Sequence, residues 1–294
     1  TFDTTVLPPC GNLQRSATSL ERWKQLTQEY SAIADRVANV SENPIGRKLL
    51  ECIFGNSPFL GQSLLLDAEF ACKLFEYGPD TTFDIIIEKL GQEVRGEKRT
   101  AKIMKALRKA KRRIALTTAV ADLTKLWNLV EVTAALSEFA ELALSLATAH
   151  VLQGAHVSGD LPLANATAPE RASGFFILGV GKLGAKELNY SSDIDLIVFY
   201  DPEKIPLKTP EMLAKTFVKA TRQIVRIMNE RNADGYVFRT DLRLRPDPGT
   251  TSVAVSTPAA EAYYESVGQN WERAALIKAR VVAGDQETGE TFLN

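Results

Sequence analysis

Histidine is nearly absent. His150 and His156 are the whole supply in 294 residues, so a zinc site or a histidine-based triad has little to draw on. Cysteine is also scarce: Cys10, Cys52 and Cys72 lie far apart, without the paired spacing of a metal knuckle or a disulfide framework, and free thiols are the expectation. No apolar stretch approaches the roughly 18 to 20 residues of a spanning helix, and the N-terminus has no basic-then-apolar signal pattern. The expectation is a soluble, cytoplasmic protein with no membrane partner. The formal net charge of -1 leaves no global cationic footprint for nucleic acid. An active-site acid, base or metal ligand is therefore to be sought among the carboxylates.

What is present is globular. Hydrophobic residues make up 45% and charged residues 24%, which fits neither a disordered nor a membrane chain. The length suits one large or two ordinary domains. The first part, residues 1–153, reads as a helical region without repeats. "SATSLERWKQLTQEYSAIADRVA" carries apolar residues at helical spacing behind Ser16 or Ser19 as N-cap. Ala135, Leu136, Phe139, Leu142, Ala143 and Leu146 form an apolar stripe within long helices from Lys98 to about Leu152. Nine cationic residues fall between Lys98 and Arg113. They read as a solvated helix face with Ile103, Met104, Leu107 and Ile114 turned inward, or as a docking surface for an acidic partner or phosphate.

Composition changes at Gly154, and residues 154–294 read as a second domain. "GAHVSGDLPLANATAPERASG" is a polar linker, after which strands begin. "FFILGVG" is an apolar run entering a glycine turn, and "DIDLIVFY" is a second buried strand opened by two carboxylates. "MLAKTFVKATRQIVRIMNE" is an amphipathic helix, and "YVFRTDLRLRP" reads as a third strand stopped by Pro246. A helical stretch capped by Ser256 or Thr257 is expected beyond it. The fold class is α+β, with a small mixed β-sheet packed with helices and preceded by a mostly helical region.

Two carboxylates at the mouth of a buried strand are expensive unless a cation or a metal meets them. In a strand, residues two apart share a face, so Asp193 and Asp195 project together. Their separation suits one Mg²⁺, which takes one or two carboxylates and fills its shell with water and phosphate oxygens, or a shared pair. Asp241 offers a third carboxylate. Arg239, Asp241, Arg243 and Arg245 alternate onto one face of the expected third strand, where arginines outnumber the acid and a phosphate would supply the missing charge. Upstream, "LGVGKLGAKEL" ends a strand in a glycine-bearing turn, which permits close approach to a phosphate. It is not a Walker loop, because no Ser or Thr follows Lys182. Tyr263, Tyr264 and Trp271 read as core or groove aromatics. Glu272, Arg273, Lys278 and Arg280 read as solvated helix charges, with Lys278 and Arg280 alternatively as pocket cations.

The glycine turn, the Ser-Asp-Ile-Asp run and the distal strand carboxylate resemble the nucleotidyltransferase superfamily of the polymerase beta type. "GVGKLGAKELNYSSDIDLIVFY", "DGYVFRTDLRLRPDP" and "YYESVGQNWERAALIKARVVAGD" together are similar to the bifunctional glutamine synthetase adenylyltransferase/adenylyl-removing family. "FRTDLRLRP" and "GQNWERAALIKAR" look like its N-terminal, adenylyl-removing half. Ala185 stands where that family frequently has glycine. From the start at a residue other than Met and the end inside an apparent helix, the expectation is a fragment of a longer protein.

The resemblance implies phosphorolysis of the adenylyl-O-tyrosyl bond on adenylylated glutamine synthetase, with inorganic phosphate attacking and ADP leaving. It implies that Asp193, Asp195 and Asp241 are catalytic and hold Mg²⁺, and that Gly181, Lys182, Gly184, Ser192, Arg243 and Arg245 meet phosphate or nucleotide. A PII-type regulatory protein is an implied partner. The alternatives are ATP-dependent adenylylation of the same tyrosine, and a non-catalytic regulatory binding module.

Overall fold

A computed structural model describes residues 2–205 and 209–294, and within them the chain forms two compact units. One comprises residues 1–89 and 110–135, the other residues 90–109 and 136–294. The fold is α+β, with helices and a five-stranded mixed sheet among the described residues.

The first unit is helical. Its elements are α1 (Leu13–Glu29), α2 (Ala34–Glu42), α3 (Pro44–Asn56), α4 (Pro58–Leu66) and α5 (Ala68–Tyr77). Parts of α6 (Pro79–Val94), α7 (Thr100–Leu123) and α8 (Leu129–Val157) complete it. The cap of α1 is not Ser16 or Ser19, as expected, but Asn12, whose side-chain oxygen accepts the Arg15 N–H at 2.8 Å. Asparagine satisfies one of the orphan N–H groups of the first turn, which frees Ser16 to be buried one turn later. Asn12→Ala should cost about 1 kcal/mol of stability in urea unfolding; an unmoved midpoint would show that the cap is idle. Trp23 is fully buried and donates its indole N–H to the Val37 carbonyl at 3.1 Å, tying α1 to α2.

The second unit holds the sheet. β1 (Phe175–Val180) runs into α9 (Gly181–Gly184), a single turn, and the chain returns as β2 (Ile194–Tyr200) antiparallel to β1. After α10 (Pro210–Asn229) come β3 (Thr240–Asp241) and β4 (Val255–Ser256), both parallel to β2. The helices α11 (Thr257–Ser266) and α12 (Asn270–Leu276) then lead to β5 (Arg280–Gly284), antiparallel to β1, and to α13 (Gln286–Leu293). Every residue of β1 is buried, as expected for a strand covered on both faces. On one face Phe176 packs with Phe199 and Phe292; on the other Phe175 and Tyr200 stack against Phe217 of α10.

Several expectations need correction. The third strand is only two residues long, because the Asp241 carboxylate accepts the Arg243 N–H at 2.8 Å and bends the chain into a turn. The stretch after Ser256 is not helical throughout: its β-branched "RVVAG" pairs with the free edge of β1 as β5. Within that stretch Trp271 is exposed rather than a core aromatic, while Glu272 is buried instead of solvated. Glu272 accepts from the Tyr263 hydroxyl and the Gln269 N–H. The basic helix keeps Ile103, Met104, Leu107 and Ile114 inward, but its charges are not all solvated. Arg108 is buried and donates to the Glu230 carbonyl at 2.5 Å.

Candidate active site

The site grows from the ends of β1 and β2. Gly181 follows β1 with φ +57, a left-handed backbone that glycine adopts without penalty, and a Cβ there would lie 3.1 Å from Asp195 Oδ2. The turn therefore presses backbone against carboxylate. Asp195 sits opposite Val180 on β1 and opposite Asp241 on β3, so it lies between the glycine turn and the third carboxylate. Equivalent residues of paired parallel strands point to one face, which brings Asp195 and Asp241 together.

The three carboxylates have unequal surroundings. Asp193 pairs with Arg239 at 2.5 Å, and that guanidinium also donates to the Ser191 carbonyl and the Tyr236 hydroxyl. Asp241 holds Arg243 through a two-pronged contact at 2.6 and 2.9 Å, and this hydrogen bonding keeps its pKa below the ordinary carboxylate value. Asp195 has no ion pair or side-chain hydrogen bond among the described residues. Burial raises its pKa, and the charges of Asp241 and Asp193 push the same way against the pull of Arg243 and Lys182. It is the one carboxylate of the three without an ion-pair partner among the described residues.

Among the described residues no three or more such side chains are drawn into a closed metal-binding group. The donors nonetheless suit Mg²⁺, which needs hard oxygens and only one or two carboxylates. The Arg243 side chain is 84% exposed, and an ion pair that open to water is weak enough to give way to a divalent cation.

Other sequence-selected residues have varied places. Lys182 is exposed at the turn, with its charge acting on Asp195. Gly184 is buried, and a Cβ there would stand 2.1 Å from the Lys278 carbonyl oxygen. Ser192 precedes β2, half-buried, its N–H donating to the Asn189 carbonyl at 3.3 Å. Arg245 is committed to its own loop, donating to the carbonyls of Leu242, Pro248 and Thr251. Lys278 pairs with Glu187 at 3.3 Å, and Arg280 pairs with Glu141 at 2.5 Å. Glu141 is absent from the residues expected of the site, although a carboxylate between Phe139 and Leu142 on the apolar stripe is a signal for it.

Residues 47–294, which include every site residue just described, match the family model for glutamate-ammonia ligase adenylyltransferase (GlnE). The chain belongs to this family. Curated GlnE relatives are named bifunctional glutamine synthetase adenylyltransferase/adenylyl-removing enzyme. The one from Rhizobium meliloti (strain 1021) is 57% identical over 193 residues, 66% of this chain and 20% of the relative. The one from Bradyrhizobium diazoefficiens is 40% identical over 283 residues, 96% of this chain and 28% of the relative. That from Bradyrhizobium sp. (strain ORS 278) is 44% identical over 247 residues, 84% of this chain and 25% of the relative. The chain thus spans between a fifth and somewhat over a quarter of these GlnE relatives. No helix among the described residues is long and apolar enough to cross a membrane.

Proposed function

We propose that this chain carries the adenylyl-removing site of a GlnE protein and catalyses phosphorolysis of adenylylated glutamine synthetase. An oxygen of inorganic phosphate attacks the adenylyl phosphorus, the bond to the tyrosine oxygen breaks, and ADP leaves with unmodified glutamine synthetase. The observation that carries the reading is Asp195, without an ion-pair partner among the described residues, in register with Asp241 and so near the glycine turn that a Cβ at Gly181 would lie 3.1 Å from its carboxylate.

The chemistry asks little proton transfer of the protein. The tyrosine phenol has a pKa of about 10, so its oxyanion leaves without a strong general acid. Phosphate is anionic at neutral pH and needs placement and charge neutralisation more than a base. Asp241 is poorly suited to be a base in any case, because Arg243 holds its pKa down. Asp195 and Asp241, with Asp193 beside them, would hold Mg²⁺, which when bound supplies charge neutralisation at the phosphoryl oxygens. The Gly181–Gly184 turn and Lys182 bind the adenylyl phosphate. Ser192 contacts the nucleotide from the entry to β2. Arg243 swings from Asp241 to the attacking phosphate, and Arg245 steadies the loop that carries it. A PII-type protein, acting through parts of the molecule other than these carboxylates, is the proposed regulatory partner.

Arg243→Gln should raise the KM for phosphate about 10-fold or more, the worth of a hydrogen bond to a charged group. Initial rates over a phosphate series read this directly, and an unchanged phosphate dependence removes Arg243 from the site. The function itself is tested by incubating the chain with adenylylated glutamine synthetase, Mg²⁺ and phosphate. ADP formation supports removal. Pyrophosphate from ATP and unmodified glutamine synthetase would point to the reverse reaction. Binding of a regulatory protein without turnover, surviving loss of all three aspartates, would point to a binding module.

A further inference from the structure

Arg280 is the first residue of β5 and pairs in register with Gly179 of β1, just before the glycine turn. Its Nε donates to the Gly184 carbonyl at 2.7 Å, and Nη2 donates to the Leu183 carbonyl at 3.0 Å. The last carbonyls of a helix have no partner within it; here Leu183 accepts the Lys186 N–H at 3.1 Å, and Arg280 from another strand is a second donor to Leu183 and a donor to Gly184. Nη2 and Nη1 also reach the two carboxylate oxygens of Glu141 at 2.5 and 3.3 Å. A guanidinium has five N–H donors, and these contacts leave little with which to take a phosphate. Glu141 neutralises the charge as well. Arg280 is therefore not a pocket cation.

The turn it grips needs holding. Its exit residue Lys186 has φ +59, a left-handed conformation that costs a residue with a side chain roughly 1–2 kcal/mol. Gly184 lies against the Lys278 carbonyl with no room for a Cβ. One helical turn before Glu141 on α8, Ser137 accepts the Leu188 N–H at 3.3 Å, so the same helix face meets the segment directly at Leu188 and, through Arg280, at Leu183 and Gly184. At its other end the turn is what sets Gly181 against Asp195 and carries Lys182.

We propose that Arg280, itself oriented by Glu141, is a positioning residue: it fixes the glycine turn so that Gly181 and Lys182 stand in place against Asp195. The proposal rests on the phosphorolysis reading for its kinetic consequence, and on geometry alone for the clamp.

The test uses Arg280→Gln, Arg280→Lys and Glu141→Gln, with phosphorolysis and amide hydrogen exchange as readouts. Arg280→Gln should lower kcat by about 10- to 100-fold, the scale of a misplaced group. Lysine should not rescue it, because a point charge cannot span two carbonyls and a carboxylate. In a Lys182→Ala background the same substitution should cost less than about 3-fold, since the two act as one unit. A merely structural role would instead multiply through unchanged, and that result overturns the proposal. Hydrogen exchange should quicken at residues 183–188 and stay put in the rest of the sheet. Unaltered exchange there would refute the clamp whether or not the chain is active. An inactive wild-type chain whose exchange still responds to Arg280→Gln would sink the phosphorolysis reading and leave the clamp standing. If Arg280→Gln does not fold, Glu141→Gln takes its place in both arms, with a smaller effect of the same pattern.

Discussion

On the proposed phosphorolysis, Asp195→Asn should lower kcat on the order of 10³-fold or more and leave the fold intact or firmer. The second half of that result follows from the electrostatics. Burial and the charges of Asp241 and Asp193 raise the Asp195 pKa in the folded protein. A carboxyl whose folded pKa lies above its unfolded value adds no penalty below the unfolded pKa. It destabilises the fold as pH rises through the folded value. At neutral pH the ionised Asp195 is thus a cost, and the neutral, nearly isosteric amide relieves it. The proposed role at the phosphoryl group would account for a residue that stability alone would discard. Thermal unfolding at pH 7 and single-turnover assays on the same preparation check both halves. An active variant rejects the role of Asp195, and a variant whose melting temperature falls sharply rejects the electrostatic argument.

Gly284→Val should cost about 4 kcal/mol or more, combining a strained backbone with an overfilled site. Gly284 ends β5 with φ +88, where a β-branched side chain is badly strained. The new Cβ would stand 2.2 Å from the Phe175 carbonyl oxygen and 2.7 Å from Phe176 Cα, both of them backbone atoms of the central strand. Neither can rotate aside. The Gly284 N–H also donates to the half-buried Glu170 carboxylate at 2.7 Å, so a shift of β5 strands that acid as well. Such a loss is a large share of the 5–15 kcal/mol a domain typically possesses. Denaturant unfolding reads it, and a midpoint within experimental scatter of wild type would show that β5 yields more easily than this packing allows.

Sequence patterns disclosed those elements whose cause is local. β1 and β2 are uninterrupted apolar runs, α10 carries its core residues at helical spacing, and the two aspartates stand out because they open a buried strand. The short β3 did not disclose itself. Alternation of Arg239, Asp241, Arg243 and Arg245 counts side chains, whereas the turn arises from a side chain capturing its neighbour's N–H. The same alternation offers Arg245 to a phosphate, whereas the turn directs its guanidinium to three carbonyls of its own loop. The Arg280–Glu141 pair spans 139 residues of chain, and no window of sequence reaches that far. Unequal partnering was hidden for a related reason. Which of three aspartates lacks an arginine depends on rotamers and register, so the sequence alone does not distinguish Asp193, Asp195 and Asp241.

The most direct measurement follows the phosphorus. Adenylylated glutamine synthetase is incubated with the chain, Mg²⁺ and isotopically labelled inorganic phosphate, and the nucleotide product is degraded to locate the label. The account predicts ADP labelled at its terminal phosphoryl group, formed only with the divalent cation present and not by Asp195→Asn. Unlabelled AMP from hydrolysis, or labelled ADP formed equally well by the variant, would contradict it.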